Sequence, residues 1–221
     1  VNEYESEPIR GLPQRLPKGE RILWQGEPRW ASLARRLFYL PTLVVYFAVL
    51  LVLRAILALS AGGTVKDAIL SATWLLPVAA LAVVILTVYG WLIARTTVYT
   101  ITEKRLVIRS GVVLPMTLNI PFVAVESAAL RLYGQGIGDI PLVLSPKHRV
   151  AYYALWPHAR PWKIKQPEPM LRSVPDAKRV AEILAGALAA TAERSDQTAE
   201  AAPEAETDTH AQWSSHASAV A

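Results

Sequence analysis

The stretches PTLVVYFAVLLVLRAILALSAGG (residues 41–63) and AILSATWLLPVAALAVVILTVYGWLIA (residues 68–94) decide how the rest of the chain is read. Each exceeds the roughly 20 apolar residues that a helix needs to cross a ~30 Å hydrocarbon core. Arg54 is the one charge within them. Buried helices of soluble proteins rarely run this long with so little charge, so the pair reads as a transmembrane hairpin. Hydrophobic residues make up 52% of the 221, and the mean hydropathy is +0.27, concentrated in these two blocks. The polar, proline-containing stretch ahead of them lacks the basic start and short apolar core of a cleavable signal peptide. The first helix is therefore expected to act as its own insertion signal. There is no cysteine, which excludes disulfides and thiolate metal sites.

Charge orients the hairpin. The connection from Gly62 to Asp67 holds Lys66 beside Asp67 and is nearly neutral, whereas Lys18, Arg21, Arg29, Arg35 and Arg36 precede the first helix and Arg95, Lys104, Arg105 and Arg109 follow the second. An excess of Lys and Arg marks the cytoplasmic side, so both termini are expected there. RWASLARRLFYL (29–40) interleaves arginines with Trp30, Leu33, Leu37, Phe38 and Leu40, as does an interfacial amphipathic helix or an ordinary flank of a membrane helix. Either places the arginines beside anionic lipid headgroups.

Arg54 is costly at such depth, about 2.5–3.5 kcal/mol on insertion scales. Three outcomes would relieve it: snorkelling, internal pairing, or contact with a helix of a partner. Counted from a turn near residue 64, Trp74 shares its level, so a cation–π contact with Trp74 or hydrogen bonds to Thr73 or Ser71 are the internal candidates. Pro77 is expected to kink the second helix.

From Thr96 the pattern changes to short alternating runs. TTVYTIT (96–102), KRLVIRS (104–110), MTLNI (116–120), SAALRLYG (127–134), IPLVLS (140–145) and VAYYALW (150–156) read as strands of a small barrel or sandwich. SVPDAKRVAEILAGAL then reads as an amphipathic helix, with Ser173 and Asp176 at capping-box spacing and Ala177, Val180, Ala181, Leu184 and Leu188 on one face. The sequence thus predicts an α+β membrane protein. Its parts are an N-terminal segment with the interfacial helix (1–36), the hairpin (37–95), a small cytoplasmic barrel closed by a helix (96–190) and a tail (191–221).

The tail holds one arginine against six acids, while residues 1–190 hold 22 Lys and Arg against 12 Asp and Glu. Its Ala-, Glu-, Thr- and Ser-rich composition predicts a disordered acidic segment. The basic remainder lacks the aromatic-basic motifs of nucleic-acid-binding modules, so anionic membrane lipid is the expected partner of its charge and nucleic acid is not.

GQGIGD (134–139) raises the question of a phosphate loop. A dinucleotide site needs GxGxxG between a strand and a helix. Here the spacing is GxGxG, a β-rich run follows, and no Lys-Ser or Lys-Thr pair makes a P-loop. The stretch reads as a turn between strands, with glycines at positive φ and Asp139 bonding local backbone. His148 and His158 share no metal-ligand spacing with carboxylates, so neither a metal nor a cofactor is expected. His158 could ligate a pigment metal, but with no partner in view it reads as a loop residue.

Several strings together resemble the PuhB family of photosynthetic complex assembly proteins of purple bacteria. They are EYESEPIRGLPQRLPKGERILWQGEPRW, ARTTVYTITEKRLVIRSG, NIPF, RLYGQGIGDIPL and LWPHARPWKIKQPEPMLRSVPDAKRVAEIL, and the likeness covers about residues 3–190. The TITEKR-to-IGDIPL portion is also similar to bacterial pleckstrin-homology-like (PH-like) domains attached to membrane hairpins, which implies a small bent barrel closed by a C-terminal helix. The resemblance implies a non-enzymatic assembly factor for the reaction centre and core antenna in the inner (cytoplasmic) membrane of a bacterium, acting as a homo-oligomer and contacting their subunits. The rival reading is a general membrane-anchored module binding lipid or peptide, and an enzyme ranks third. The resemblance carries over no catalytic residue. The contact candidates are Arg54 and an aromatic-basic surface of Trp156, Pro157, His158, Arg160, Pro161 and Trp162. For the latter, the alternative is a loop packed on the barrel.

Overall fold

Strand β1 (Ile22–Gly26) precedes the apolar helices, yet its partner in the sheet follows them. A computed structural model describes residues 11–12, 16–17, 19–112, 115–146, 151–161, 163 and 165–217, with backbone alone at 153, 154 and 198–217. After β1 come helices α1 (Trp30–Leu37), α2 (Leu40–Ser60), α3 (Val65–Thr73) and α4 (Leu75–Thr96). Strands β2 (Val98–Thr102), β3 (Arg105–Ser110), β4 (Met116–Pro121), β5 (Val125–Ala128), β6 (Arg131–Leu132) and β7 (Gly138–Leu144) follow. A single helical turn, α5 (Tyr152–Leu155), strand β8 (Met170–Val174) and helix α6 (Ala177–Ala217) complete the chain.

Two of these helical segments are long and apolar enough to cross a membrane, Leu40–Ser60 and Val65–Thr96. The second is broken between α3 and α4 at Trp74, three residues before Pro77. Proline lacks the N–H that would reach the Thr73 carbonyl, and its ring crowds that carbonyl, which accounts for the break. At the tip, Thr64 and Asp67 form a reciprocal cap: Thr64 N–H donates to the Asp67 carboxylate and Asp67 N–H to Thr64 Oγ1.

Among the described residues the β-rich part is two four-stranded antiparallel sheets; of the expected barrel or sandwich, they do not close into a barrel. One runs β1-β2-β3-β4. In the other, β7 carries β5 and β6 along one edge and β8 along the other. A 3₁₀ turn at Phe122–Ala124 swings the chain from β4 into β5, so the ladder does not continue between the sheets. Tyr99, Ile101, Leu106, Ile108, Ile140, Leu142 and Leu171 form the shared core. Ala177, Val180 and Leu184 of α6 close it, as the helical periodicity predicts.

Four expectations are corrected here. Residues 96–190 are not the whole domain, because β1 from the N-terminal segment is a strand of its first sheet. Within the segment VAYYALW, Tyr152–Leu155 coil into a helical turn instead of a strand, and Val150 lies outside the described residues. The capping box at Ser173 is absent, for Ser173 is still in β8 and Asp176 immediately precedes α6. The stretch from Thr191, read as disordered, continues α6 to Ala217, in keeping with the strong helix preference of alanine and glutamate.

Candidate partner-contact site

LWPHARPW was read as either an exposed surface or a packed loop, and its residues divide between the two. Trp156 is exposed (46%) and stacks on Tyr89 of α4, ring centroids 6.3 Å apart. Pro157 is buried behind a cis Trp156–Pro157 bond. Arg160 points outward but is engaged: its guanidinium donates to Glu168 at 2.6 Å, and Lys163 reaches the other oxygen of that carboxylate at 3.2 Å. Burial alone would raise the Glu168 carboxyl; hydrogen bonds from Arg160 and Lys163 outweigh it and hold the group below its usual range. Pro161 is exposed, and Trp162 lies outside the described residues.

His158 takes the packed alternative. It is 1% exposed and belongs to the interior. Thr97 Oγ1 donates to the Ile93 carbonyl at 2.7 Å, which leaves its lone pairs to accept from His158 Nε2–H at 3.2 Å. The Tyr99 hydroxyl accepts from Arg172 N–H at 3.1 Å and donates to His158 Nδ1 at 3.0 Å in preference to the Arg172 carbonyl, which is farther at 3.4 Å. Every hydroxyl in this chain acts once as donor and once as acceptor when the imidazole is neutral with its proton on Nε2. Burial, followed by the Arg172 charge, pushes the His158 pKa down to about 3, and burial raises the Tyr99 hydroxyl above its ordinary value. With both ring nitrogens committed, His158 has none to offer a pigment metal. The chain of bonds joins the end of α4 to β8 through the middle of the domain.

A second junction lies at α1. Leu33 and Ala34 are buried against Gly90, Ile93 and Ala94 of α4. The apolar stripe of this amphipathic helix thus packs on protein rather than only flanking the hairpin. On the domain side, Arg29 N–H donates to the Ser173 carbonyl at 2.8 Å, and the Ser32 and Ser173 hydroxyls are 3.2 Å apart. Ser173 has φ 51°, an uncommon value for a non-glycine residue. Asp139 holds it there, accepting from Ser173 N–H at 2.7 Å and from the Tyr133 hydroxyl at 2.6 Å.

GQGIGD is a turn, as predicted, with Gly136 at φ 71° and Gln135 at φ 64°. Asp139, however, bonds across to β8 and to Tyr133 rather than to its own turn. The Arg36 guanidinium lies 3.3 Å from the centre of the Tyr133 ring, and that of Arg131 lies 5.7 Å away. Burial first, then the Asp139 carboxylate, pushes the Tyr133 hydroxyl up to about 12. The sequence showed the turn and the arginines of α1 separately; nothing local told that they meet.

Arg54 is exposed on α2. The internal partners considered for it are occupied or apart: Ser71 Oγ donates to the Ala68 carbonyl and Thr73 Oγ1 to that of Ile69. Trp74 is 79% exposed and makes no cation–π contact with Arg54.

The profile of the bacterial PH domain family matches residues 35–188. The chain is 35% identical over 205 residues to an uncharacterised 23.7 kDa protein in the puhA 5′ region of Rhodobacter capsulatus, covering 92% of this chain and 95% of that one. No solved structure matches.

Proposed function

The chain belongs to the PuhB-type bacterial PH domain family, and on that premise we propose that it is a membrane-integrated, non-enzymatic factor in assembly of the photosynthetic reaction centre and core antenna. The observation that carries the reading is the relative in the puhA 5′ region, a neighbourhood that favours a photosynthetic role over a general membrane module. The family's PH-like domains are generally non-catalytic, which supports a binding role.

The hairpin gives the proposal a physical basis. In the most apolar 18-residue window of each long helical segment no residue is buried. The core helix of a soluble protein would be mostly buried, so lipid is the solvent that suits these side chains. Helices of multi-subunit pigment proteins need partners for polar groups in lipid, and an unassembled subunit lacks them. A hairpin with open faces and an exposed Arg54 can supply a transient packing surface. The flanking arginines favour both termini in the cytoplasm. Reporter fusions after Ala94 should then be cytoplasmic and fusions within 62–67 exported.

Deleting the gene should lower assembled core complex, quantified by absorption spectroscopy, while pigment precursors and subunit transcripts persist. Unchanged core-complex levels would overturn the assembly role and favour the general lipid- or peptide-binding module.

A further inference from the structure

Beside the GQG turn, α1 and Tyr133 enclose a cavity of about 370 Å³ lined by Arg29, Ser32, Arg35, Arg36 and Gln135 as well as the tyrosine. Three arginines meet there, and no carboxylate lines it. Arg36 is held in place by the Tyr133 ring at 3.3 Å. Among the described residues, neither Arg29 nor Arg35 has a salt bridge to an acid. Asp139, behind the ring, has its two oxygens taken by Tyr133 and Ser173. The result is an unneutralised cluster of three positive charges in a concave site, with Arg36 held at its edge by the tyrosine ring. Guanidinium groups suit phosphate there, since each presents two parallel N–H donors to a pair of phosphate oxygens.

Position narrows the ligand. The arginines of α1 end two turns or less before Leu40, where the first long apolar helix begins after the left-handed Tyr39 (φ 49°). We infer that the cavity between α1 and the 134–136 turn is a binding site for the phosphate of an anionic phospholipid headgroup, whose acyl chains lie along the base of the hairpin. This rests on the hairpin crossing a membrane, not on the assembly role. The glycine turn does not wrap the phosphate with its own N–H groups. It forms a wall, while arginines about 100 positions earlier in the chain supply the charge.

The test uses the full chain purified in neutral detergent, titrated with dioctanoyl phosphatidylglycerol, dioctanoyl phosphatidylcholine and inorganic phosphate. Phosphatidylglycerol should bind at least about tenfold more tightly than the other two, since the arginine cluster repels the choline cation of phosphatidylcholine and inorganic phosphate has no acyl chains to lay along the hairpin. Arg29→Gln with Arg35→Gln should remove that preference. Gly134→Glu should do the same with the arginines intact, because a side chain at Gly134 meets open space and a carboxylate there would neutralise the cluster. Arg21→Gln with Lys104→Gln removes equal charge around the β2–β3 turn and should change nothing. Equal binding of the two lipids, or equal losses in both double variants, overturns the site. Inorganic phosphate binding as tightly as phosphatidylglycerol overturns the lipid source in favour of a free phosphate. Carbonate extraction of membranes separates the premises. Protein that resists extraction yet shows no lipid preference defeats the site alone, and protein that is extracted defeats the membrane reading and the lipid site together.

Discussion

Gly90 of α4 faces Ala34 of α1 so closely that a Cβ added at Gly90 would stand 2.6 Å from the Cβ of Ala34. Real Cβ atoms do not approach so far, and the neighbours here are backbone and a side chain with no freedom to swing away. Glycine is therefore what lets α1 lie flat on the base of α4 while its other side touches β8. Gly90→Leu should push α1 off and cost about 1–3 kcal/mol, the usual range for overpacking. A sensitive readout is available because the chain has no cysteine of its own. Cysteines replacing Ser32 and Ser173, whose hydroxyls are 3.2 Å apart, should cross-link on oxidation, and Gly90→Leu should suppress that cross-link. Cross-linking that is indifferent to residue 90 would show that α1 is held by the domain alone.

The His158 network predicts an acid-sensitive domain. Its folded pKa of about 3 lies below the ordinary 6.5, so in the unfolded chain the imidazole takes up a proton that the folded chain refuses. The associated stability is fully present above pH 6.5 and is lost as pH falls from 6.5 towards 3. Glu20 and Glu168, both held below the usual carboxylate range, stay ionised in the upper part of that window. Between pH 6 and 5 the unfolding free energy should thus fall by about 1 kcal/mol from this group, a little less than the value of one full proton because the unfolded imidazole is still titrating there. His158→Gln should be less stable at pH 8 by about 1–3 kcal/mol, through imperfect replacement of buried hydrogen bonds, and its pH profile should be flatter over the same interval. Parallel profiles for the two proteins, measured by denaturant unfolding, would refute the assignment.

How much of this was legible beforehand depended on the range of the interaction. The hairpin is a property of local composition, and Pro77 marks its break; both follow from the sequence. The same holds for strands β2, β3, β4 and β7, whose β-branched runs sit between turns, and for the buried face of α6. Strand β1 was missed because ILWQG becomes a strand only against β2, with Gln25 bonding Thr100 75 positions away. The sequence left His158 open between surface and packed loop for the same reason. Aromatic and basic neighbours suggested a surface, whereas its burial comes from Thr97 and Tyr99, 61 and 59 positions earlier. The basic cavity needed α1 and the glycine turn to meet across a still longer stretch of chain, from Arg35 and Arg36 to Gly134 and Gln135.

Glu20 offers a direct test that the N-terminal segment is part of the domain. Its side chain is 3% exposed and receives both Nε and Nη2 of Arg105, at 2.9 and 3.0 Å, and the Thr102 hydroxyl at 2.6 Å. Burial by itself would raise this carboxyl, but the bonds from Arg105 and Thr102 outweigh it and lower the pKa. Removing the charge leaves Arg105 without its two-pronged partner. Glu20→Ala should destabilise the domain by about 2–4 kcal/mol, in the range for a lost charge-assisted network with a desolvated donor. The loss should shrink as pH drops through and below the carboxylate range, because the parent protein then loses the same interaction. Melting temperatures that match the parent at pH 7 would place Glu20 outside the folded unit.

Arg54 separates the two explanations of the hairpin most cleanly. It stands exposed on α2 among apolar residues, and Trp74, Thr73 and Ser71 do not engage it. Carrying a guanidinium into lipid costs about 2.5–3.5 kcal/mol on insertion scales, so Arg54→Leu should insert at least as well as the parent and accumulate to the same level. If the arginine only snorkels to the surface, assembly of the core complex is unaffected by that change. If it is the polar handle for a partner helix, leucine removes the handle while sparing the hairpin. The proposed role in assembly predicts the second outcome: core complex falls in the Arg54→Leu strain at constant protein level, and Arg54→Lys restores part of it because the charge is kept. Equal core-complex absorption in parent and leucine strains, with equal amounts of the protein in their membranes, would assign Arg54 to snorkelling and move the client contact elsewhere on the hairpin.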